Sequence, residues 1–127
     1  MANRQFFCTL LVLASVLTGC RGDMIHETMA YNDRQATIKE NNKNLMAIQI
    51  GVSSQEVRQL MGDPERSEGY TWGHAWLYRT AMTSGVYGTV DADFTPVVFD
   101  SSGKLVGWGR NFFTEHVKRY DITVREE

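Results

Sequence analysis

Few residues in this chain have the type and spacing for chemistry. A thiolate is the best nucleophile a side chain offers, and the 127 residues hold two cysteines, Cys8 and Cys20. Histidine is the usual proton carrier and metal ligand near neutrality. The three here, His26, His74 and His116, are far apart, and none belongs to a ligand-spaced pair. Asp91 and Asp93 are spaced like the start of a calcium loop, without the glycine and glutamate that complete one. There is no G-x-S-x-G and no phosphate loop. Each of these polar residues reads as a solvated side chain, so no enzyme, metal site or cofactor is expected. Cys20 stands apart because of what precedes it.

Arg4 is followed by a mostly apolar run over residues 6–17, then by Leu17-Thr18-Gly19-Cys20. A charged start and an apolar run of about a dozen residues are too short to span a bilayer and have the order of a signal peptide. Leu-Thr-Gly-Cys has the form of a bacterial lipobox. Its cysteine resembles those that receive a diacylglyceryl thioether, become the first residue after cleavage and are then N-acylated with a fatty acid such as palmitate. The competing reading is an ordinary secretory signal with a cysteine near the cut. Each buried methylene contributes about 0.8 kcal/mol, so two or three chains on Cys20 make a durable anchor where one would not. Residues 1–19 are then a lipoprotein signal peptide and residues 20–32 a lipidated tether. In such lipoproteins an aspartate after the cysteine often means retention at the inner membrane. Arg21 stands there instead, which favours the periplasmic face of the outer membrane.

Composition narrows the rest. There are 13 basic and 15 acidic residues and no basic run, so nucleic acid is not an expected partner. With Cys8 in the leader and Cys20 lipidated, the remaining domain has no disulfide and depends on its core or on a partner. No second apolar run is long enough for a transmembrane helix.

In chain order, residues 33–47 read as a helix with a sparse stripe of Ile38, Leu45 and Ile48. Ser53 and Glu56 form a capping box, with Val52 and Val57 placed as a hydrophobic staple. Val57, Leu60 and Met61 make its buried stripe. Gly62 in a left-handed conformation and Pro64 end this second helix. Tyr70 to Trp72 and Ala75 to Thr80 read as strand, with Gly73 a turn or bulge. Residues 82–93 read as a long mobile loop. Phe94 to Phe99 is a strand whose Pro96 calls for an edge, a strand start or a bulge. Asp100 to Lys104 is a hairpin turn. On the return strand Leu105 and Gly107 are expected on one face, Val106 and Trp108 on the other. A short C-terminal helix follows, capped by Asn111 and carrying Phe112, Phe113, His116, Val117 and Tyr120. Residues 121–127 read as a charged tail.

The expected fold is α+β: two N-terminal helices packed on a three-stranded antiparallel sheet, ααβββ, over residues 33–120. Its aromatic residues exceed what one face of such a sheet easily buries. Either they are core, completed by the last helix, or some line a partner-binding surface, for which Trp72, Trp76, Tyr87 and Trp108 are the candidates.

The stretch L-M-A-I-Q-I-G-V-S-S-Q-E-V-R-Q-L-M-G-D-P from Leu45 to Pro64, the strand Trp76-Leu77-Tyr78 and the hairpin from Phe99 to Leu105 together resemble the SmpA/OmlA (BamE-type) superfamily of small outer-membrane lipoproteins. The ending T-P-V-V-F-D-S-S-G-K-L-V-G-W-G is closer to a branch without assigned function. The resemblance implies the ααβββ fold and a place in the envelope. Secreted inhibitors of β-lactamase share that architecture, so it is a binding scaffold and not one activity. The docking residues of the assembly factors are not reproduced here. The expectation is a lipid-anchored, non-catalytic scaffold or adaptor with an envelope protein partner, in outer-membrane assembly or maintenance. The alternative is an inhibitor-like or ligand-binding module on the same fold.

Overall fold

Ser53 and Glu56 satisfy each other's backbone as the capping box requires. The Glu56 N–H donates to Ser53 Oγ (3.2 Å) and the Ser53 N–H donates to Glu56 Oε2 (2.7 Å). That fixes the start of a helix over Ser54–Met61, which buries Val57 and Met61. At its end Gly62 has φ 76° and ψ −168°. This is an extended, positive-φ conformation open essentially to glycine alone, and not the left-handed helical one expected from the sequence.

The computed structural model describes residues 21–83, 85 and 90–125, in two units divided between Asp33 and Arg34. Its elements are α1 (Arg21–Leu45), α2 (Ser54–Met61), β1 (Arg66–Tyr70), β2 (Gly73–Arg79), β3 (Phe94–Asp100), β4 (Leu105–Trp108) and α3 (Arg110–Arg125). In the first unit residues 21–33 are helical, and Met29 and Tyr31 are exposed. The first helix therefore begins at Arg21, earlier than the expected residue 33. The second unit is α+β: a four-stranded antiparallel sheet in the order β1-β2-β3-β4, with helices.

The sheet has one strand more than the three expected. Arg66 to Tyr70 is polar and alternates half-buried with exposed, so its apolar content gave no strand signal. Gly73 opens β2, and the tight turn at Thr71 and Trp72 separates two strands rather than bending one.

Pairing assigns the two faces. Trp76 lies opposite Val97 and His74 opposite Phe99, so these four side chains share one face. Trp76, Tyr78, Val97, Phe99 and Leu105 pack there with Leu45, Ile48, Val57 and Met61 as the main core. The Tyr78 hydroxyl donates to the Gly62 carbonyl (2.9 Å), pinning the end of α2 to the sheet. On the other face lie Ala75, Leu77, Val98 and Gly107, and a ring of α3 reaches them. A Cβ on Gly107 would sit 2.5 Å from Phe112 Cζ, so the absent side chain is what lets α3 close on β4.

A register shift between Val98 and Phe99 alters the expected alternation of the return strand. Phe99 pairs with Leu105 but Val97 pairs with Trp108, so Leu105 and Trp108 share the core face. One extra residue in a strand turns every later side chain over. Pro96 is tolerated in this central strand near its start. The Pro96 carbonyl accepts from Gly109 N–H (2.8 Å), just past the end of β4, where no ladder donor is needed from residue 96.

The chain after α1 also completes the sheet. Gly51 N–H donates to the Leu105 carbonyl and Leu105 N–H to the Val52 carbonyl, both at 2.8 Å, and Ser53 bridges Lys104. The last helix starts one residue before Asn111, with Phe113 N–H donating to the Gly109 carbonyl (3.0 Å). Asn111 is therefore inside the helix rather than its cap. That helix runs to Arg125, through most of the segment read as a charged tail.

Candidate functional site

Of the residues singled out from the sequence, Cys20 and Tyr87 lie outside the described residues. Trp76 is 8% exposed, within the main core, with the Arg58 guanidinium 4.7 Å from its ring centroid. Trp72 is 9% exposed. It stacks on Tyr70 (4.8 Å), meets His116 edge-on (4.5 Å) and lies 5.6 Å from Tyr120, so it belongs to the packing of α3. Trp108 is half-buried against the main core. The structure brings neither Trp72 nor Trp76 to the surface, and it sets them on different clusters. Burial also lowers the basicity of both flanking histidines: His74, with Asp100 opposing, and His116, with Arg119 adding to the effect.

The most concentrated polar chemistry lies elsewhere, at the end of the sheet where β2 stops and β3 begins. Arg79 is 1% exposed and Asp93 0%. Arg79 Nη1 donates to Asp93 Oδ2 (3.2 Å), while its Nε and Nη2 donate to Glu65, each at 3.2 Å. Glu65 also accepts from Arg34 Nη1 (2.7 Å). The other oxygen of Asp93 accepts from the Thr83 N–H (2.7 Å) and hydroxyl (2.5 Å). Its carbonyl accepts from the Thr80 and Ala81 amides. Phe94 roofs the cluster, with the guanidinium carbons of Arg79 and Arg66 at 4.5 and 4.8 Å from its ring centroid. Arg66 Nη2 reaches Asp91 (2.8 Å), which lies well below the usual carboxylate range chiefly because of that hydrogen bond.

A buried charge is tolerated only when paired and hydrogen-bonded, and Arg79 and Asp93 both are. The cluster's carboxylates neutralise guanidinium groups and cap amides, while the buried Nε of Arg66 has no acceptor. Asp93 is not the solvated side chain expected from the sequence. Among the described residues no group of three His, Cys, Asp or Glu side chains could hold a metal ion, and no helix is long and apolar enough to cross a membrane.

Two asparagines tie α1 to the same corner, and a third ties it to α2. Asn41 Nδ2 donates to the Arg79 carbonyl (2.8 Å), Asn42 Nδ2 to that of Thr80 (2.9 Å) and Asn44 Nδ2 to that of Leu60 (3.0 Å). Sequence reading passed over these residues, although a signal was there. Asparagine is a poor helix former because its amide seeks backbone partners, so three within four helical positions mark side chains with backbone targets. Arg79 carried one too: alternation from Leu77 puts its side chain on a buried face.

Helices on a four-stranded antiparallel sheet define a small α+β domain. The chain belongs to a family described as "Protein of unknown function (DUF3192)", whose model matches residues 14–115. No curated protein matches it. Among solved structures it is similar to one provisionally assigned as the osmotically inducible lipoprotein OsmE, at 29% identity over 49% of this chain and 67% of that one, with a TM-score of 0.34. An overlap of that size carries no structural inference.

Proposed function

We propose that this protein is a lipid-anchored lipoprotein of the cell envelope, held by Cys20 at the periplasmic face of the outer membrane. It acts there as a non-catalytic adaptor in outer-membrane assembly or maintenance. The observation that carries the anchor is Leu17-Thr18-Gly19-Cys20 directly after an apolar run. The adaptor role rests on the anchor together with a small α+β domain that presents exposed apolar side chains. Met46, 87% exposed where α1 ends, is apolar surface of the kind recognition uses.

Metabolic labelling with palmitate and membrane fractionation test the anchor. The native protein takes up label and fractionates with outer membrane; Cys20→Ala does neither. A Cys20→Ala protein that still matures and fractionates with outer membrane overturns it. Photo-crosslinking from Met46, and separately from Tyr87, tests the adaptor. An envelope protein captured in stoichiometric amount is the expected result. Capture of a soluble enzyme instead supports the inhibitor-like reading, and no capture from correctly anchored protein removes the adaptor role.

A further inference from the structure

We infer that Arg34, Glu65, Arg79, Asp93 and Thr83 form one conformational coupling. Through it, seating of α1 from Arg34 onward sets the backbone where the chain leaves β2 and where it enters β3. This stands independently of the anchor and of any partner.

The series links five residues from separate stretches of the chain, and each of its links is a charge-assisted hydrogen bond. Arg34 on α1 meets Glu65 ahead of β1 at 2.7 Å, and Glu65 meets Arg79 at the end of β2 at 3.2 Å. Arg79 meets Asp93 at 3.2 Å, and Asp93 receives Thr83 N–H at 2.7 Å. Arg34 and Glu65 are about one-third exposed, whereas Arg79 and Asp93 are sealed from water. The input therefore sits at the surface and the relay in a region of low screening, where such bonds strengthen one another.

Arg79 is the joint. Its fork is shared between two carboxylates, so a shift of Glu65 is felt through the guanidinium at the buried Asp93. Asp93 in turn holds three amides of the outgoing chain, Thr80, Ala81 and Thr83. The same helix grips that backbone directly, through Asn41 on the Arg79 carbonyl and Asn42 on that of Thr80. The remaining cations at this corner, Arg66 and Arg110, are engaged by Asp91 and by the Asp91 and Phe94 carbonyls. Neither can replace Arg34 at Glu65 without giving up those partners.

Amide hydrogen exchange of the full-length protein tests this, because the Thr83 N–H reports on Asp93 directly. Arg34→Ala, distant in sequence, is expected to speed Thr83 exchange by at least about twofold, the size of coupling that interacting sites show. The Val57 amide, inside α2, should not move, and Arg34→Lys should restore much of the protection. In a double-mutant cycle Arg34→Ala and Glu65→Gln should fall short of additive at Thr83. Unchanged Thr83 exchange in folded Arg34→Ala overturns the coupling. So does a rise shared equally by Val57, which would mean general loosening.

Discussion

Arg79 and Asp93 form an ion pair at 3.2 Å with side chains 1% and 0% exposed. Neither residue lies in a strand centre: one ends β2, and the other closes a single 3-10 turn, Asp91–Asp93, just before β3. They fasten the two ends of the excursion between those strands, and they do so beneath the Phe94 ring.

Asp93→Ala should destabilise the domain by about 1–3 kcal/mol, because it leaves Arg79 Nη1 and the Thr83 amide without their buried acceptor while Glu65 still holds the rest of the guanidinium. Asp91→Ala removes the solvent-screened partner of Arg66 and should cost clearly less than the Asp93 change. Urea denaturation of the two variants checks the contrast. Equal losses would mean that Arg79 reaches water when unpaired.

Gly107→Ala should cost about 1–3 kcal/mol, since the added methyl meets the Phe112 ring and small-to-large changes in packed sites fall in that range. Gly107→Ala with Phe112→Ala should lose less than the two single changes combined. Thermal melts of all three variants decide it; strict additivity would place the ring elsewhere.

Gly62→Val should destabilise by about 1–3 kcal/mol from backbone strain alone. Nothing lies within 4 Å of the position a Cβ would take, so that atom meets no crowding. Gly62→Ala should then cost nearly as much as the valine. A tolerated alanine with a damaging valine would point to crowding instead.

Acid should weaken the fold in two stages. His74 and His116 are held below their ordinary 6.5 by burial, so the folded state binds protons less readily than the unfolded chain. Their contribution is intact above 6.5 and is lost as pH falls through the folded values. Glu56 and Asp100 are held below the carboxylate range by hydrogen bonds, Glu56 chiefly from the Ser53 backbone and Asp100 chiefly from the Ser102 hydroxyl. Their loss comes later, as pH falls below about 4. Urea midpoints across pH should show an upper step that His74→Phe and His116→Phe together abolish.

Alkali should act through the tyrosines. Burial pushes Tyr78 and Tyr70 up to about 12 from 10.0. A raised folded value means stability present below 10 and lost as pH climbs toward 12. Tyr78→Phe should flatten that limb and sacrifice the bond to Gly62. If the limb is unchanged, Tyr78 ionises without unfolding.

What the sequence showed clearly was short-range. The box of Ser53 and Glu56 and the Asp100 to Lys104 turn are written in neighbouring residues, and each is found; of the expected stripe Val57 and Met61 are buried, but Leu60 is 41% exposed. The misses required distant partners. Arg66 to Tyr70 is a strand because β2 lies beside it, not because it is apolar. Trp108 faces the core because of a bulge that no residue type announces. Asp93 is buried because Arg79 meets it, fourteen residues away. Leu17 to Cys20 and Tyr87 fall outside the described residues, so the anchor and the loop rest on sequence and on the experiments above.

The pairing of Gly51, Val52 and Ser53 with Leu105 and its neighbours limits how copies of this protein can assemble. An exposed strand edge is a template on which another molecule can stack. Here the β4 side is occupied at Leu105, which leaves only Val106 to Trp108 beyond it. Among the described residues no strand covers the outer side of β1, a five-residue edge studded with Arg66 and Glu68. Edge-to-edge stacking of copies is thereby confined to the charged β1 edge and the short stretch from Val106 to Trp108, which disfavours continuous fibre growth.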